Sequence, residues 1–287
     1  MRLATVAFEQ SSSAAVLLDD DTYGLVRTLA GRSDNGDVIS LIASPLRPDE
    51  VSALSRIPLA GVQFLPPVTP RKNVLCVGKN YVAHAIEGAR AEGLAKAEIP
   101  TTPIWFTKAP TALVGHQGSI IAPAGFENCL DYEGELAVIV GRSARNLTRE
   151  NALNAVFGYT VFNDVTARDI QQERKQWFKG KSSDTFGPIG PWVVTSDELT
   201  DPQSLQITTM INGEIRQDDN TRNMIFSVRD LLVDISQGIT LQPGDVIATG
   251  TPEGVAWGMT EPKYLKPGDR VSVQIEQIGR LENTVGM

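Results

Sequence analysis

The sequence predicts an α+β protein rich in β-structure, and three observations carry that expectation. Segments with strand-like alternation outnumber those with helical spacing, tight-turn phrases recur between them, and no strand–helix unit repeats along the chain. The last of these argues against a doubly wound nucleotide-binding fold.

The elements follow in order. Leu3 to Phe8 and Ala15 to Leu18 alternate as short strands, separated by polar turns at Asp19-Asp20-Asp21 and Asp34-Asn35-Gly36. Pro66-Pro67 and Pro70 make a stiff boundary, so residues 1–70 read as a small β-rich N-terminal domain and residues 71–287 as a larger one. A helix is expected over Arg149 to Phe157, capped by Thr148 and closed by Gly158. Ile207 to Ile211, Asn212-Gly213 and Glu214 to Gln217 form a hairpin phrase, because Asn-Gly takes the positive φ angles of a tight turn. The clearest helix is Val228 to Gln237, with Ser227 as cap, Asp230 completing a capping box and Gly238 ending it. Two Pro-Gly-Asp turns, at Pro243 and Pro267, feed strands Val246 to Ala248 and Val271 to Ile275.

Composition bounds the function. With 41% hydrophobic and 21% charged residues, the 287-residue chain is neither disordered nor fibrous. Apolar runs such as Leu136 to Val140 fall far short of the roughly 20 residues of a membrane span. Lysine plus arginine number 26 against 34 acids, a net charge of −8, and no basic cluster appears. Nucleic acid and anionic membranes are therefore set aside as partners. Cys76 sits in an apolar run and reads as a buried thiol, Cys129 has no metal or redox spacing, and MRLATVAFEQSSS does not read as a signal peptide. A reducing, cytoplasmic setting is expected.

Chemistry concentrates after residue 78. Leu130 to Val140 reads as a strand opening with Glu133 and Glu135, which share a face continued by Ala137 and Ile139. Two such carboxylates resist ionisation unless a cation lies between them, or they are a solvated strand end. Asp164 ends a second strand, placed either as a third oxygen ligand or as the cap of the following helix. Three carboxylates without thiol or paired histidine point to Mg²⁺ or Mn²⁺ ahead of Zn²⁺. If Asn80 caps a short helix, His84 and Glu87 lie three apart on one face and form a general-base pair acting on water, against the alternative of a surface histidine. His116 has no acid neighbour and reads as structural. Lys181 lies in a Gly/Ser/Pro-rich stretch too irregular for a regular element, where it holds an oxyanion or simply solvates a surface. The turn Thr249-Gly250-Thr251-Pro252 offers backbone N–H groups and the Thr251 hydroxyl to an anion. No Walker loop or Gly-x-Ser-x-Gly elbow occurs.

Val77-Gly78-Lys79-Asn80-Tyr81 with His84 and Glu87, then Asp131-Tyr132-Glu133-Gly134-Glu135, Asn163 to Asp169, Gly180-Lys181-Ser182 and Thr249 to Pro252 resemble, in this order, the fumarylacetoacetate hydrolase family. The resemblance covers residues 71–287. It implies a mixed β-sandwich roll, commonly homodimeric, that uses one Mg²⁺ or Mn²⁺ per subunit on 2-oxo acids. It also implies Glu133, Glu135 and Asp164 as metal ligands, Lys181 as the active-site lysine, His84 and Glu87 as the water-activating pair, and Arg168, Gln171 and Thr251 as substrate-lining positions. One departure matters. Fumarylacetoacetate hydrolase itself has a further Asp ligand ahead of its histidine, whereas Arg71 to His84 contains no carboxylate here. Water or substrate is expected in that position, as in the smaller acylpyruvase-like members, which argues against fumarylacetoacetate as the substrate.

The resulting expectation is hydrolysis of the C–C bond of a 2,4-dioxo acid to pyruvate and a carboxylic acid, with Lys181 neutralising the developing oxyanion and Gly88 to Pro100 forming a lid. Oxaloacetate decarboxylation and keto–enol or double-bond isomerisation would use the same ion and lysine. A non-catalytic structural ion site is the alternative from a different class.

Overall fold

The computed structural model describes residues 1–32, 36–125 and 129–286. The turn expected at Asp34-Asn35 lies outside the described residues. Strands dominate, and the α+β, β-rich class holds. A large sheet runs, in order of hydrogen-bonded neighbours, through Ile57–Pro58, Thr22–Leu25, Ser11–Leu17, Arg2–Phe8, Gly187–Thr195, Val156–Asn163, Gly134–Val140, Val246–Ala248, Val74–Gly78 and Ile104–Lys108. A five-stranded sheet is ordered Glu214–Asn220, Gln206–Ile211, Arg270–Ile275, Gly279–Val285, Ser119–Ile120. Leu130–Asp131 and Thr166–Ala167 form a separate two-stranded ribbon.

The apolar run at 136–140 is explained by its place between two cores. Leu136, Val138 and Val140 pack with Ile207, Val273 and Leu281 of the five-stranded sheet and with Leu232 and Ile235 of the helix Val228–Ser236. Ala137 and Ile139 face the opposite way, against Leu3, Val16, Leu41 and Phe162. A strand covered on both faces needs no polar alternation. The second core contains residues from both sides of Pro70, and Leu3 pairs with Val193, so the large sheet and its core run continuously across the proline-rich segment.

The local signals at turns behave as expected. Asn212 and Gly213 have φ of 52° and 85° and close the hairpin, and Gly244 and Gly268 take positive φ in the Pro-Gly-Asp turns. Ser227 accepts from the Asp230 N–H and Asp230 returns the bond to the Ser227 N–H, completing the capping box. Asp19 Oδ1 accepts from the N–H groups of Asp21 and Thr22.

Two expected elements are corrected. The helix over Arg149 to Phe157 is a single 3₁₀ turn, Ala152–Ala155, followed at once by the strand Val156–Asn163. β-Branched and aromatic residues from Val156 onward favour the pleated surface. Thr148 donates its N–H to Asn151 instead of capping, and Gly158 is a strand residue on which a Cβ would lie 2.3 Å from the Val194 carbonyl oxygen. The strand over Leu130 to Val140 is likewise broken: Tyr132 and Glu133 join the ribbon strand to the main-sheet strand. Among the described residues, no helix is long and apolar enough to cross a membrane.

Candidate active site

The strand Gly134–Val140 pairs with Val156–Asn163 in a register that sets Gly134 opposite Asn163. Glu133 and Asp164 therefore leave the sheet side by side. The Asn163 side-chain oxygen accepts from the Glu133 N–H at 3.0 Å, and the Asp164 N–H donates to the Glu133 carbonyl at 2.8 Å. Glu135 points from the next inward position of its strand, where its carboxylate accepts the Gly250 N–H at 2.8 Å. Carboxylate oxygens of Glu133, Glu135 and Asp164 all lie within 4.8 Å of one another, and all three residues are buried. This excludes the solvated strand end. It also excludes the helix cap, because the helix Arg168–Glu173 is preceded by Ala167 and has no side-chain cap.

Two lysines enter this cluster. Lys181 Nζ donates to Glu133 Oε2, Asp164 Oδ2 and Thr166 Oγ1 at 2.8, 2.8 and 2.9 Å. An ammonium has three N–H donors, so all of them are engaged. Lys181 closes a one-turn helix, Phe178–Lys181, where the sequence was read as irregular. Lys108, which sequence reasoning missed, is fully buried at the end of Ile104–Lys108. It lies 2.8 Å from Asp164 Oδ1 and donates to the carbonyls of Val165, Lys181 and Phe186. A lone lysine closing a strand carries no sequence signal of partners so far along the chain.

The electrostatics are lopsided. Burial would raise the Glu133 carboxyl, but the Lys181 ammonium and Arg168 guanidinium outweigh it and hold it well below the usual carboxylate range. Glu135 has neither ion pair, and burial followed by the charges of Asp164 and Glu133 pushes its carboxyl well above the usual range. For Lys181, the attraction of Asp164 and Glu133 overcomes burial and raises its pKa. Burial lowers that of Lys108 against the pull of Asp164. Oxygen-only donors, close spacing and an acid left without a counter-charge fit a hard divalent cation, which Glu133, Glu135 and Asp164 could hold.

A cavity of about 530 Å³ opens over this cluster. Glu133, Lys181, His84, Arg168, Gln171 and Thr251 line it, while Glu135 and Asp164 sit deeper. Arg168, almost wholly buried, bonds through Nε to Asp131 at 2.8 Å and through Nη1 to Glu133 at 2.7 Å and Gln171 at 2.9 Å. Its Nη2 is buried with no hydrogen-bond partner among the described residues. Thr251 is already engaged: its hydroxyl donates to the Gly134 carbonyl and accepts from Gln217. The anion cradle expected at 249–252 thus serves the protein's own groups, with the Gly250 N–H given to Glu135 and the Thr251 hydroxyl to Gly134.

The helix Val82–Ala91 supplies the remaining pair. Its N-cap is Tyr81; Asn80 instead links neighbouring segments, donating to the carbonyls of Phe226 and Thr249 and accepting from the Phe226 N–H. His84 Nδ1 lies 3.2 Å from Glu87 Oε2, and both side chains are buried. Glu87 Oε1 accepts the Gly254 N–H at 3.0 Å, which fixes the acid from its other side. With Nδ1 turned to a carboxylate, the imidazole is assigned its proton there and its Nε2 lone pair is left free. Gly88 to Ala91 of the expected lid complete this helix, Ala91 and Glu92 line the cavity, and Leu94 and Ile99 beyond them are exposed. His116 lies apart, its Nδ1 accepting the Glu282 N–H.

Comparisons with known proteins show what this chain is similar to. The family model described as fumarylacetoacetate (FAA) hydrolase C-terminal matches residues 73–286. An oxaloacetate tautomerase, YisK, of Bacillus subtilis (strain 168) is 46% identical over 217 residues, which is 76% of this chain and 70% of that protein. The structure of a fumarylacetoacetate hydrolase from psychrophilic Exiguobacterium antarcticum superposes with a TM-score of 0.86 at 40% identity, covering 100% of this chain and 99% of that one. Maleylpyruvate hydrolase from Sphingobium sp. SYK-6, solved in complex with manganese (II) ion and pyruvate, gives 0.81 at 31% identity, again over 100% and 99%.

Proposed function

This chain belongs to the fumarylacetoacetate hydrolase family, and we propose that it is a divalent-metal-dependent enzyme that moves a proton at C3 of a 2-oxo acid, its reaction being keto–enol tautomerisation of an oxaloacetate-type acid. The observation that carries this reading is the buried His84–Glu87 pair at the wall of a cavity that opens over three carboxylates. The similarity to a protein named as an oxaloacetate tautomerase supports it. Glu133, Glu135 and Asp164 would hold one Mg²⁺ or Mn²⁺, which when bound supplies Lewis-acid polarisation of a 2-oxo group.

The chain's own residues do the rest. The unpartnered Arg168 Nη2 donates to the substrate carboxylate, because a buried donor without a partner costs free energy that a ligand oxygen recovers. His84 Nε2 removes the proton from C3 of the keto form, the C–H electron pair moves into the C2–C3 bond and on to the 2-oxygen, and protonation at that oxygen gives the enol. The reverse sequence restores the ketone. Glu87 stabilises the imidazolium that forms between the two transfers. All three N–H groups of Lys181 are engaged, which supports a role as counter-charge to Glu133 and Asp164 over direct donation to an oxyanion.

A second reading is hydrolysis of an acylpyruvate. It is favoured by the cavity volume of about 530 Å³, far more than a four-carbon acid fills. There His84 Nε2 takes a proton from water, the hydroxide adds to the C4 carbonyl, C3–C4 breaks, and the resulting pyruvate enolate is protonated at C3. Incubation with oxaloacetate and with acylpyruvates in deuterated buffer containing Mn²⁺, followed by NMR, separates the readings. Catalysed deuterium entry at C3 of oxaloacetate, lost in His84→Gln, is expected. Pyruvate plus a carboxylic acid from acylpyruvates alone establishes the hydrolase instead. Release of CO₂ from oxaloacetate at an undiminished rate in His84→Gln overturns both.

A further inference from the structure

Asp131 is fully buried at the end of the ribbon strand, two residues before Glu133 in sequence, and is not one of the three clustered carboxylates. Both of its oxygens are engaged twice. Oδ1 accepts the N–H groups of Tyr132 at 2.9 Å and Ala256 at 2.8 Å. Oδ2 accepts Arg168 Nε at 2.8 Å and the Trp257 N–H at 3.0 Å. Four bonds exhaust the lone pairs that lie in the carboxylate plane, so this acid has no site left for an ion or a substrate. It joins two parts of the cavity wall: Arg168, and the segment that carries Trp257.

That segment, Gly254 to Gly258, is fastened on its other side to the helix of the histidine pair. The Gly254 N–H donates to Glu87, the Tyr132 hydroxyl donates to the Gly254 carbonyl, and Arg90 donates to the Gly258 carbonyl. The approach is so close at Gly258 that a Cβ there would lie 2.0 Å from Glu87 Cγ. The Arg168 guanidinium lies 5.5 Å from the centre of the Trp257 ring. A single buried acid thus sets the direction of the Arg168 fork and the height of the Trp257 strap together.

We propose that Asp131 is a positioning residue that aims Arg168 at an anionic ligand and pins the Gly254–Gly258 strap over the cavity. Asp131→Asn keeps the shape but turns an NH₂ toward two N–H donors, so at least two of the four bonds are lost whichever way the amide is oriented. The kinetic part of this inference rests on the proposed 2-oxo acid reaction; its binding and exchange parts do not depend on turnover.

The test compares wild type with Asp131→Asn, Arg168→Lys and the double variant. Oxalate binding is measured by calorimetry at saturating Mn²⁺, and acrylamide quenching of Trp257 is taken as the difference from Trp257→Phe. Expected are oxalate binding weakened about tenfold or more in each single variant, no further weakening in the double, and greater quenching of Trp257 in Asp131→Asn. KM for oxaloacetate rises while kcat changes by less than about threefold, because Arg168 holds ground state and transition state alike. Should Asp131→Asn fail to fold, amide exchange of the wild-type protein decides: Ala256 and Trp257 are slow to exchange if pinned to the buried acid. Additive losses in the double variant, unchanged oxalate binding and quenching in a folded Asp131→Asn, or fast exchange at Ala256 and Trp257 overturn the proposal. A wild type that never consumes a 2-oxo acid overturns the functional reading alone, and the quenching and exchange results still judge Asp131.

Discussion

The N–H of Asp164 donates to the carbonyl oxygen of Glu133 at 2.8 Å, so two acids distant in sequence are joined through the backbone before their side chains are considered. Their convergence is a consequence of strand register, and it persists whether or not the carboxylates are charged. The site is preorganised by the sheet, and its occupants are selected by charge.

Glu135 is the acid whose charge is least supported, held well above the usual carboxylate range by burial and by Asp164 and Glu133. Glu135→Gln removes that repulsion and keeps the shape. In metal-free buffer the variant is expected to melt at the wild-type temperature or above it, and to lack the rise in melting temperature expected of wild type with Mn²⁺. Saturation at a hundred times Kd is worth about 2.7 kcal/mol, so the contrast is readily measured by calorimetry. An equal Mn²⁺-induced rise in both proteins contradicts the assignment of Glu135 as a ligand.

Lys181→Met has the opposite effect on the metal-free protein. It strips the counter-charge from Glu133 and Asp164 in a buried setting, and breaking a buried pair costs about 3–5 kcal/mol. Denaturant unfolding in the presence of a chelator reads this directly. Unchanged stability contradicts the counter-charge role.

His84→Gln is expected to lower kcat for C3 proton exchange about 10²- to 10⁴-fold, the usual contribution of a positioned base, with an unchanged melting temperature. Gly258→Ala reaches the same pair from outside, since its Cβ would collide with Glu87; it lowers kcat without touching the imidazole. Both effects are followed by NMR in deuterated buffer. A Gly258→Ala enzyme of full activity contradicts the fixed placement of Glu87.

His116 supplies a pH test away from the site. Burial lowers its pKa from the ordinary 6.5, and its Nδ1 must stay unprotonated to accept the Glu282 N–H. The unfolded chain therefore binds a proton that the folded chain refuses, and stability falls as pH drops below the unfolded value toward the lowered folded one. His116→Gln, whose side-chain oxygen still accepts, flattens the loss of stability that sets in as pH falls below the ordinary histidine value of 6.5. Identical pH slopes contradict this.

Much of the architecture was legible because it is local. The Ser227–Asp230 box, the Asn212-Gly213 turn and the Pro-Gly-Asp turns each satisfy their own backbone within a few residues, so their meaning survives without the rest of the fold. Arg149 to Phe157 was misread because its apolar spacing suits either period, and pairing with neighbouring strands decided it. At the site, the acids, His84 and Glu87 could be named from the motifs that resemble a known family. Lys108, the four bonds of Asp131 and the absence of a free proton on Lys181 could not, because each depends on partners that only folding brings near.

Anomalous diffraction from a crystal soaked in Mn²⁺ locates the cation relative to the three carboxylates. One strong peak per chain is expected within bonding distance of oxygens from Glu133, Glu135 and Asp164, and it is lost in Glu135→Gln. Manganese bound elsewhere with those three carboxylates left unbridged contradicts this placement.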